Sequence, residues 1–376
     1  MTDPDRPPDP ARADLLETAR LPAAPPRPRA FPTLRDAWPQ ARPFTLDGGL
    51  ERHGFTPGWT ALLVAVVAFI VYQIAGTVVA AFGVVGRLAG AGEAPDPEAV
   101  MELISSDAPL LLTSNALGQA VGFGLLVWLV VRMHTRQGGA FLRLRAPDGQ
   151  GLGLAALGWA VLYPGLLWLG HLNQFLPQPT WLSELERMQN DLLETALLQS
   201  DLGAPFLLLT MALTPAVFEE LLFRGYLQRQ VERRFGWVVS IVAVGLFFGL
   251  YHLRLSQVIP LSLLGAYLGY VTWATGSLYS AMLVHLLNNG LAVLVGVYAR
   301  SSPTLDVEAV ESATVPWYLG LVSLMAAVGV LVALRRRREA VAGTAPDAAP
   351  VPPEPAPPLY TQPLPSGEAE DRNPDA

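Results

Sequence analysis

The stretch "AVFEELLFRG" places two adjacent carboxylates and one guanidinium inside an apolar run. Glu220 and Arg224 are four residues apart, so on a helix they share one face and can pair. Glu219 points about 100° away from Glu220, so the two carboxylates cannot share Arg224 fully. An ionisable side chain in a membrane-spanning helix costs a few kcal/mol and by default marks a functional site. We therefore expect one carboxylate to be held ionised while the other faces a different partner.

Imidazoles and amides at helical spacing follow in two later apolar runs. "FFGLYHL" carries Phe248 and His252 four residues apart, and "LVHLLNNGL" carries His285 and Asn289 four apart, with Asn288 beside them. Buried His and Asn side chains in spanning helices often serve only as interhelical hydrogen bonds, worth about 1 kcal/mol each. Two acids, two imidazoles and an amide on three helices are more than that role requires.

The residue types that are absent narrow the chemistry. The chain contains no Cys and no Lys. Disulfides, thiolate metal sites and a cysteine nucleophile are therefore excluded. A lysine nucleophile or base is excluded as well.

The elements that would position these residues are long apolar segments. The sequence is 51% hydrophobic and only 15% charged, whereas charged residues make up about a quarter of a soluble protein. Roughly 20 apolar residues span a bilayer. We therefore predict an all-α polytopic membrane protein with about eight spanning helices. The apolar runs are Trp59–Val85, Pro109–Val131, Leu152–Leu172, Pro205–Phe223, Trp237–Leu253, Val258–Trp273, Leu278–Val297 and Trp317–Leu334.

Charges are sorted between the loops. Arginines follow the second, fourth and eighth runs, ending with "RRRR" at Arg335–Arg338, whereas acidic residues follow the first, third and seventh. By the positive-inside rule both termini lie in the cytoplasm, and an even number of spans agrees with this. The start lacks a basic region followed by an apolar one, so no cleavable signal peptide is expected. Arginine-only usage with abundant Ala and Pro suggests a bacterium, and hence its cytoplasmic membrane.

Composition divides the chain into three parts. Residues 1–55 and 340–376 have too few bulky apolar side chains to form a core, so both are predicted to be disordered cytoplasmic tails. Residues 56–339 form the predicted membrane domain, with the candidate site within 205–297. Between the third and fourth runs, apolar residues recur at helical spacing from Trp181 to Ala196. They predict an amphipathic helix at the outer interface, or alternatively a gate over the site.

The three motifs together resemble those of the CPBP family. This family of membrane-embedded proteases includes the type II CAAX prenyl protease and bacterial bacteriocin-processing or self-immunity proteins. Its pattern is Glu-Glu-x-x-x-Arg, then Phe-x-x-x-His, then His-x-x-x-Asn, on successive helices of an eight-helix fold. The matching residues here are Glu219, Glu220, Arg224, Phe248, His252, His285 and Asn289. The resemblance covers roughly residues 205–297 and does not extend to the tails.

The resemblance implies an intramembrane endopeptidase with its active site in a conical cavity inside the bundle. Glu219 would be the general base, with His252 helping to hold the attacking water. His285 and Asn289 would donate hydrogen bonds to the developing oxyanion.

The remaining motif residues have supporting roles in this reading. Glu220, paired with Arg224, would orient the site or share the proton. Phe248 would contact the substrate or pack the cavity.

A metal-dependent version uses the same residues. Two His and a Glu form a ligand set of catalytic zinc, here Glu219, His252 and His285, with a second Glu as base. The spacing of a helical His-Glu-x-x-His site is absent. No cofactor is firmly predicted, and zinc stays open beside the glutamate mechanism.

Non-enzymatic alternatives also stay open. A member of the family could act as a scaffold or a self-immunity protein without catalysis. A transporter could use the same acids and imidazoles as a proton relay, but no inverted repeat links the two halves. The expected partners are the lipid bilayer and a membrane-associated peptide or protein, and no nucleic acid is indicated. The sequence does not define the oligomeric state.

Overall fold

The chain is an all-α polytopic membrane protein. The computed structural model describes residues 33–34, 43–91, 100, 107–199, 201–302 and 314–343. Within these ranges, seven helical segments are long and apolar enough to cross a membrane. These segments are Pro57–Gly90, Ala108–His134, Gly149–Asn173, Ala204–Tyr251, Leu255–Thr275, Leu278–Ser301 and Trp317–Gly343.

The secondary structure is almost entirely helical in the described ranges, and several helices contain π-helical turns. Two short strands, β1 (Thr33–Leu34) and β2 (Phe44–Thr45), pair antiparallel. The helices in chain order are α1 Gly49–Arg52, α2 Pro57–Ala91, α3 Ala108–Gln119, π1 Ala120–Leu125, α4 Leu126–His134, α5 Gly138–Phe141, α6 Gly149–Asn173, α7 Thr180–Glu194, π2 Thr195–Gln199, α8 Ala204–Leu207, π3 Leu208–Leu213, α9 Thr214–Glu220, π4 Leu221–Leu227, α10 Gln228–Tyr251, a 3₁₀ turn Leu255–Gln257, α11 Val258–Thr275, α12 Leu278–Ser301 and α13 Trp317–Gly343.

The longest apolar segment, Ala204–Tyr251, accounts for the difference between seven segments and eight predicted spans. Its helix is interrupted at Gly236, where φ is 83° and ψ is 172°. A positive φ is accessible to glycine because it has no Cβ. Gly236 thus separates two apolar arms that the sequence predicts as the fourth and fifth spans. The second arm is short, about 22 Å from Trp237 to Tyr251 at 1.5 Å per residue.

The ordered part of the chain begins earlier than residue 56, the predicted start of the membrane domain. Phe44 and Leu46 are buried, and the backbone N–H of Gly48 donates to the carbonyl of His134 at 2.8 Å. Two apolar side chains were enough to anchor a segment whose overall composition predicts disorder. The boundary at residue 55 is therefore placed too late. The remainder of both predicted tails, apart from residues 33–34 and the end of α13, lies outside the described residues.

A charged contact also anchors this N-terminal segment. The carboxylate of Glu51 accepts a hydrogen bond from Nδ1 of His134 at 2.8 Å and pairs with Arg233 at 3.0 Å. Burial alone would raise the pKa of Glu51, but the hydrogen bond from His134 and the charge of Arg233 outweigh it and hold that pKa below its usual value. Glu51 therefore stays ionised at neutral pH and ties α1 to the ends of α4 and α10.

The predicted amphipathic helix is present as α7, Thr180–Glu194. Trp181 and Met188 are exposed on its apolar face, whereas Glu186 is buried and accepts a hydrogen bond from the N–H of Ser256 at 3.0 Å. Asn190 accepts a hydrogen bond from Arg254. One face of α7 is therefore fastened to the loop that follows α10.

Close glycine contacts bring α10 and α11 together. A Cβ on Gly245 would lie 2.6 Å from the backbone N of Ala266, and one on Gly265 would lie 2.8 Å from the carbonyl oxygen of Gly245. Gly249 and Gly269 complete a small-xxx-small pattern on each helix, which permits close approach of the two backbones. This contact fixes α10, which carries Phe248, against α11.

We expect Gly245→Ala to destabilise the protein by about 1–3 kcal/mol, because the added methyl group forces the α10 and α11 backbones apart. Thermal unfolding of the purified protein in detergent measures the change. The matched control is Gly329→Ala in the interior of α13, where nothing lies within 4 Å of an added Cβ. That control should leave the unfolding temperature unchanged or raise it slightly, since Ala is the better helix former. Equal effects of the two substitutions would contradict the packing argument.

Candidate active site

Glu220 lies at the centre of the candidate site. Its side chain is completely buried, and its Oε1 accepts hydrogen bonds from Nη1 of Arg224 at 2.6 Å and from Nδ1 of His285 at 2.8 Å. Its Oε2 is buried without a hydrogen-bond partner among the described residues. A buried carboxylate needs such compensation, because its desolvation costs several kcal/mol. Glu220 therefore links the first motif to the third.

Arg224 is equally buried and has three kinds of contact. Besides Glu220, its Nη2 donates to the carbonyl of Gly265 at 2.9 Å, and its guanidinium lies 4.4 Å from the ring centroid of Phe248. A cation over an aromatic face is stabilised by about 2 kcal/mol when it is desolvated. Arg224 therefore connects the acid pair to α11 as well as to the second motif.

Glu219 faces the second motif, away from Arg224. Its Oε2 lies 4.0 Å from Nε2 of His252 and is buried without a hydrogen-bond partner among the described residues. This distance is too long for a direct hydrogen bond and is of the kind that a bridging water spans. The side chains of Glu219 and His252 remain 13% and 28% exposed, compared with 0% for Glu220. The two acids thus occupy different environments, one sealed and one accessible.

The tautomer of His252 follows from its other contact. Nδ1 lies 2.7 Å from the carbonyl oxygen of Phe248, and a carbonyl only accepts hydrogen bonds, so Nδ1 carries the proton. In the neutral ring Nε2 is then a hydrogen-bond acceptor. Nε2 is the nitrogen directed at Glu219.

Phe248 is buried between the other motif residues. Its ring centroid lies 4.6 Å from that of His252 and 6.0 Å from that of His285, both in edge-to-face arrangements. Only 1% of the residue is exposed. This burial favours the packing role of Phe248 over direct contact with a substrate.

Asn289 is held by a carbonyl that a proline leaves available. Pro215 has no N–H to donate to the carbonyl of Met211, four residues earlier in the helix. That carbonyl accepts a hydrogen bond from Nδ2 of Asn289 at 3.2 Å. Oδ1 of Asn289 accepts from Nδ2 of Asn288 at 3.2 Å, which orients the amide of Asn289.

The three motifs therefore meet, although their spacing along the helices predicts different depths. Counting 1.5 Å per residue places Glu219 roughly 15 Å from Arg229, His252 roughly 22 Å from Trp237 and His285 roughly 10 Å from Leu278, the helix ends expected on the cytoplasmic side. The helix that carries Glu219 and Glu220 is not a straight α-helix, so depths counted along a straight helix do not apply to it. The π-helical segments π3 and π4 flank α9, and such turns widen a helix and often occur at functional sites.

The residues proposed as zinc ligands do not converge. Nδ1 of His285 donates to Glu220 and Nδ1 of His252 donates to a carbonyl, so Nε2 is the ring nitrogen that each histidine could offer to a metal. Among the residues that the structure describes, no group of three or more His, Asp or Glu side chains could hold a metal ion. Zinc binding by Glu219, His252 and His285 stays a prediction from the sequence, and the mechanism proposed below uses only side chains and water.

Sequence reasoning missed three participants. The carbonyl of Gly265 accepts from Arg224, but a backbone acceptor leaves no signal in the residue types. Tyr72 and Tyr251 lie near Glu219. The hydroxyl of Tyr72 donates a hydrogen bond to Oδ1 of Asn115 at 2.5 Å. A polar aromatic in the first apolar run, "VYQIAG", was the available signal for Tyr72.

Removing Arg224 should leave the carboxylate of Glu220 buried and uncompensated. We expect Arg224→Met, which keeps the side-chain length, to destabilise the protein by about 3–5 kcal/mol. Arg335→Met serves as the control, because it breaks an exposed ion pair with Glu339. The control should leave the unfolding temperature unchanged. An Arg224→Met protein as stable as the wild type would refute the compensating role of Arg224.

Comparison with known proteins agrees with the geometry of the site. Residues 201–291 match the model of the family described as Rce1-like, type II CAAX prenyl endopeptidase. No curated protein and no solved structure matches the chain significantly. The family match covers all three motifs, from Glu219 to Asn289. It confirms the resemblance to the CPBP family over residues 201–291, the segment that is similar to the Rce1-like, type II CAAX prenyl endopeptidases.

Proposed function

We propose that the protein is an intramembrane endopeptidase that hydrolyses a peptide bond of a membrane-associated protein or peptide through water activated by Glu219. One observation carries this proposal: Oε2 of Glu219 and Nε2 of His252 face each other at 4.0 Å, and the carboxylate oxygen has no hydrogen-bond partner among the described residues. The family match over residues 201–291 supports a CAAX-protease-like endopeptidase.

The attacking water lies between Glu219 and His252. Both facing atoms are hydrogen-bond acceptors, so a single water donates one hydrogen to each and directs a lone pair towards the substrate. As its oxygen bonds to the scissile carbonyl carbon, its proton passes to Glu219, the general base.

The carbonyl oxygen of the substrate becomes negatively charged in this step. Both ring nitrogens of an imidazolium donate hydrogen bonds, so in that form His285 can bind Glu220 through Nδ1 and the oxyanion through Nε2. Asn289 donates the second hydrogen of its amide, since only one is used on Met211. Loss of one such donor typically costs a factor of about 10²–10³ in rate.

Collapse of the tetrahedral intermediate completes the hydrolysis. The carbon–nitrogen bond breaks, and the proton held by Glu219 is transferred to the departing nitrogen, which leaves as an amine. The other product is a carboxylic acid, and Glu219 regains its charge. No group outside the substrate, water and these side chains is consumed.

Glu220, Arg224 and Phe248 act as positioning residues in this mechanism. Glu220 fixes the ring of His285 through Nδ1, and Arg224 balances the charge of Glu220. Phe248 separates the two imidazoles and supports Arg224.

Since none of the steps uses a metal, activity should persist after treatment with a chelator.

The substrate class and location follow from the chain as a whole. We propose a bacterial cytoplasmic membrane with both chain ends in the cytoplasm, based on the distribution of arginine. A bacterial setting disfavours prenylated CAAX proteins. A leader peptide, a bacteriocin precursor or another membrane-associated peptide fits better.

Cellular peptide profiles test the proposal. Cells that contain the wild-type protein or Glu219→Gln at matched membrane abundance are compared for released peptides and new protein termini. Glu219→Gln keeps the shape of the side chain but removes the base, so specific termini should disappear. Asn289→Ala should reduce them by a factor of about 10²–10³.

Identical profiles for the wild type and Glu219→Gln, together with rescue of a deletion phenotype by both, would replace the catalytic proposal with a scaffold or self-immunity role.

A further inference from the structure

A cavity of about 740 Å³ lies beside the motif residues, between α6, α11 and α12 and next to α7. Its lining includes neither Glu219 nor His252 but reaches Asn288 on α12. The lining combines apolar side chains with amides and a guanidinium. The apolar side chains belong to Leu166, Leu167, Pro260, Leu261 and Leu264.

The cavity adjoins the site at two points. Nδ2 of Asn288 donates to Oδ1 of Asn289, so a cavity-lining side chain contacts a proposed oxyanion donor. Arg254, which also lines the cavity, follows His252 by two residues. Leu253 between them has a φ of 53°, a conformation that is rare for a residue with a branched side chain. This turn allows His252 to face Glu219 and Arg254 to face the cavity.

The cavity and the arginine-rich loops lie at opposite ends of the same helices. Helix α6 begins beside Asp148, which pairs with Arg337, and ends next to the cavity residue Gln174. Helix α11 begins after the cavity residue Gln257, and near its other end the carbonyl of Trp273 accepts a hydrogen bond from Arg338. Because arginine-rich loops face the cytoplasm, the cavity lies towards the other side of the membrane.

The polar lining suits a polypeptide backbone. Four carboxamides line the cavity, and each offers both a donor and an acceptor, as every peptide unit does. They belong to Gln174, Asn190, Gln257 and Asn288.

Arg254 adds an unused donor to this lining. One of its nitrogens, Nη2, is bonded to Asn190, but its Nε is buried without a hydrogen-bond partner among the described residues. A buried donor that is left without a partner destabilises the folded protein. A carbonyl or carboxylate oxygen of a bound peptide would satisfy it.

Resting on the proposed function, we infer that the substrate is an extended peptide segment on the extracytoplasmic side of the membrane, and that it reaches Glu219 through this cavity. The carboxamides and Arg254 bind its backbone, while the leucine side chains of the lining contact its apolar side chains. Such a segment belongs to a translocated protein or peptide that remains at the membrane surface. A cytoplasmic C-terminal tail would have to enter from the opposite face.

The direction of access is measured without any cleavage. The chain contains no cysteine, so single substitutions report on single positions. Gln257→Cys in the cavity and Arg336→Cys on the exposed arginine-rich end of α13 are each produced in spheroplasts and treated with a membrane-impermeant maleimide. We expect labelling of Gln257→Cys in intact spheroplasts, and labelling of Arg336→Cys only after permeabilisation. The reverse pattern, or labelling of neither position until permeabilisation, would overturn the inference.

A reporter-release assay tests the substrate assignment. A membrane-anchored reporter carries a randomised extended segment either outside or inside, and release of the reporter is compared between the wild type and Glu219→Gln. Cleavage restricted to the outside segment, and its loss in Arg254→Ala, is expected. Cleavage restricted to the inside segment overturns the inference. If neither segment is cut while Gln257→Cys is labelled from outside, the proposed protease function fails but the outward orientation of the cavity stands.

Discussion

Glu220 carries a carboxylate into the interior of a helix bundle, and the surrounding residues are arranged around the need to compensate it. One oxygen accepts from Arg224 and from His285, so residues on two helices are held at one point. Arg224 in turn reaches the carbonyl of Gly265 and the ring of Phe248, which adds two more helices. Because a buried ion pair costs more to break than it contributes in net stability, this arrangement specifies geometry. Glu219 does not share this compensation, because its Oε2 has no hydrogen-bond partner among the described residues.

Close helix packing is the second constraint, because the backbone carbonyl of Gly265 can accept from Arg224 only if α11 lies near π4. Glycines on both sides of the α10–α11 contact permit that approach. The same contact positions Phe248, and the carbonyl of Phe248 orients His252. Glycines without side chains therefore help to determine which nitrogen of His252 faces Glu219.

The sequence predicts the helical class and the apolar segments well, because hydropathy is a local property. The pairing of Glu220 with Arg224 followed from a four-residue spacing alone. The role of Gly265, the carbonyl of Met211 that Pro215 leaves available, and the anchoring of Phe44 and Leu46 could not be predicted. Each of these depends on a contact between segments that are distant in the chain. The depths counted along straight helices disagreed for a related reason, since tilt and π-helical turns are tertiary features.

In the proposed mechanism the two adjacent glutamates have different tasks, Glu219 chemical and Glu220 structural. Thermal unfolding of Glu219→Gln and Glu220→Gln, measured side by side in detergent, tests this difference. We expect Glu219→Gln to unfold at the temperature of the wild type, because its carboxylate oxygen lacks a hydrogen-bond partner among the described residues. Glu220→Gln should unfold at a clearly lower temperature, because the buried charge of Arg224 loses its counterion. Equal unfolding temperatures for the two variants, or the opposite order, would contradict it.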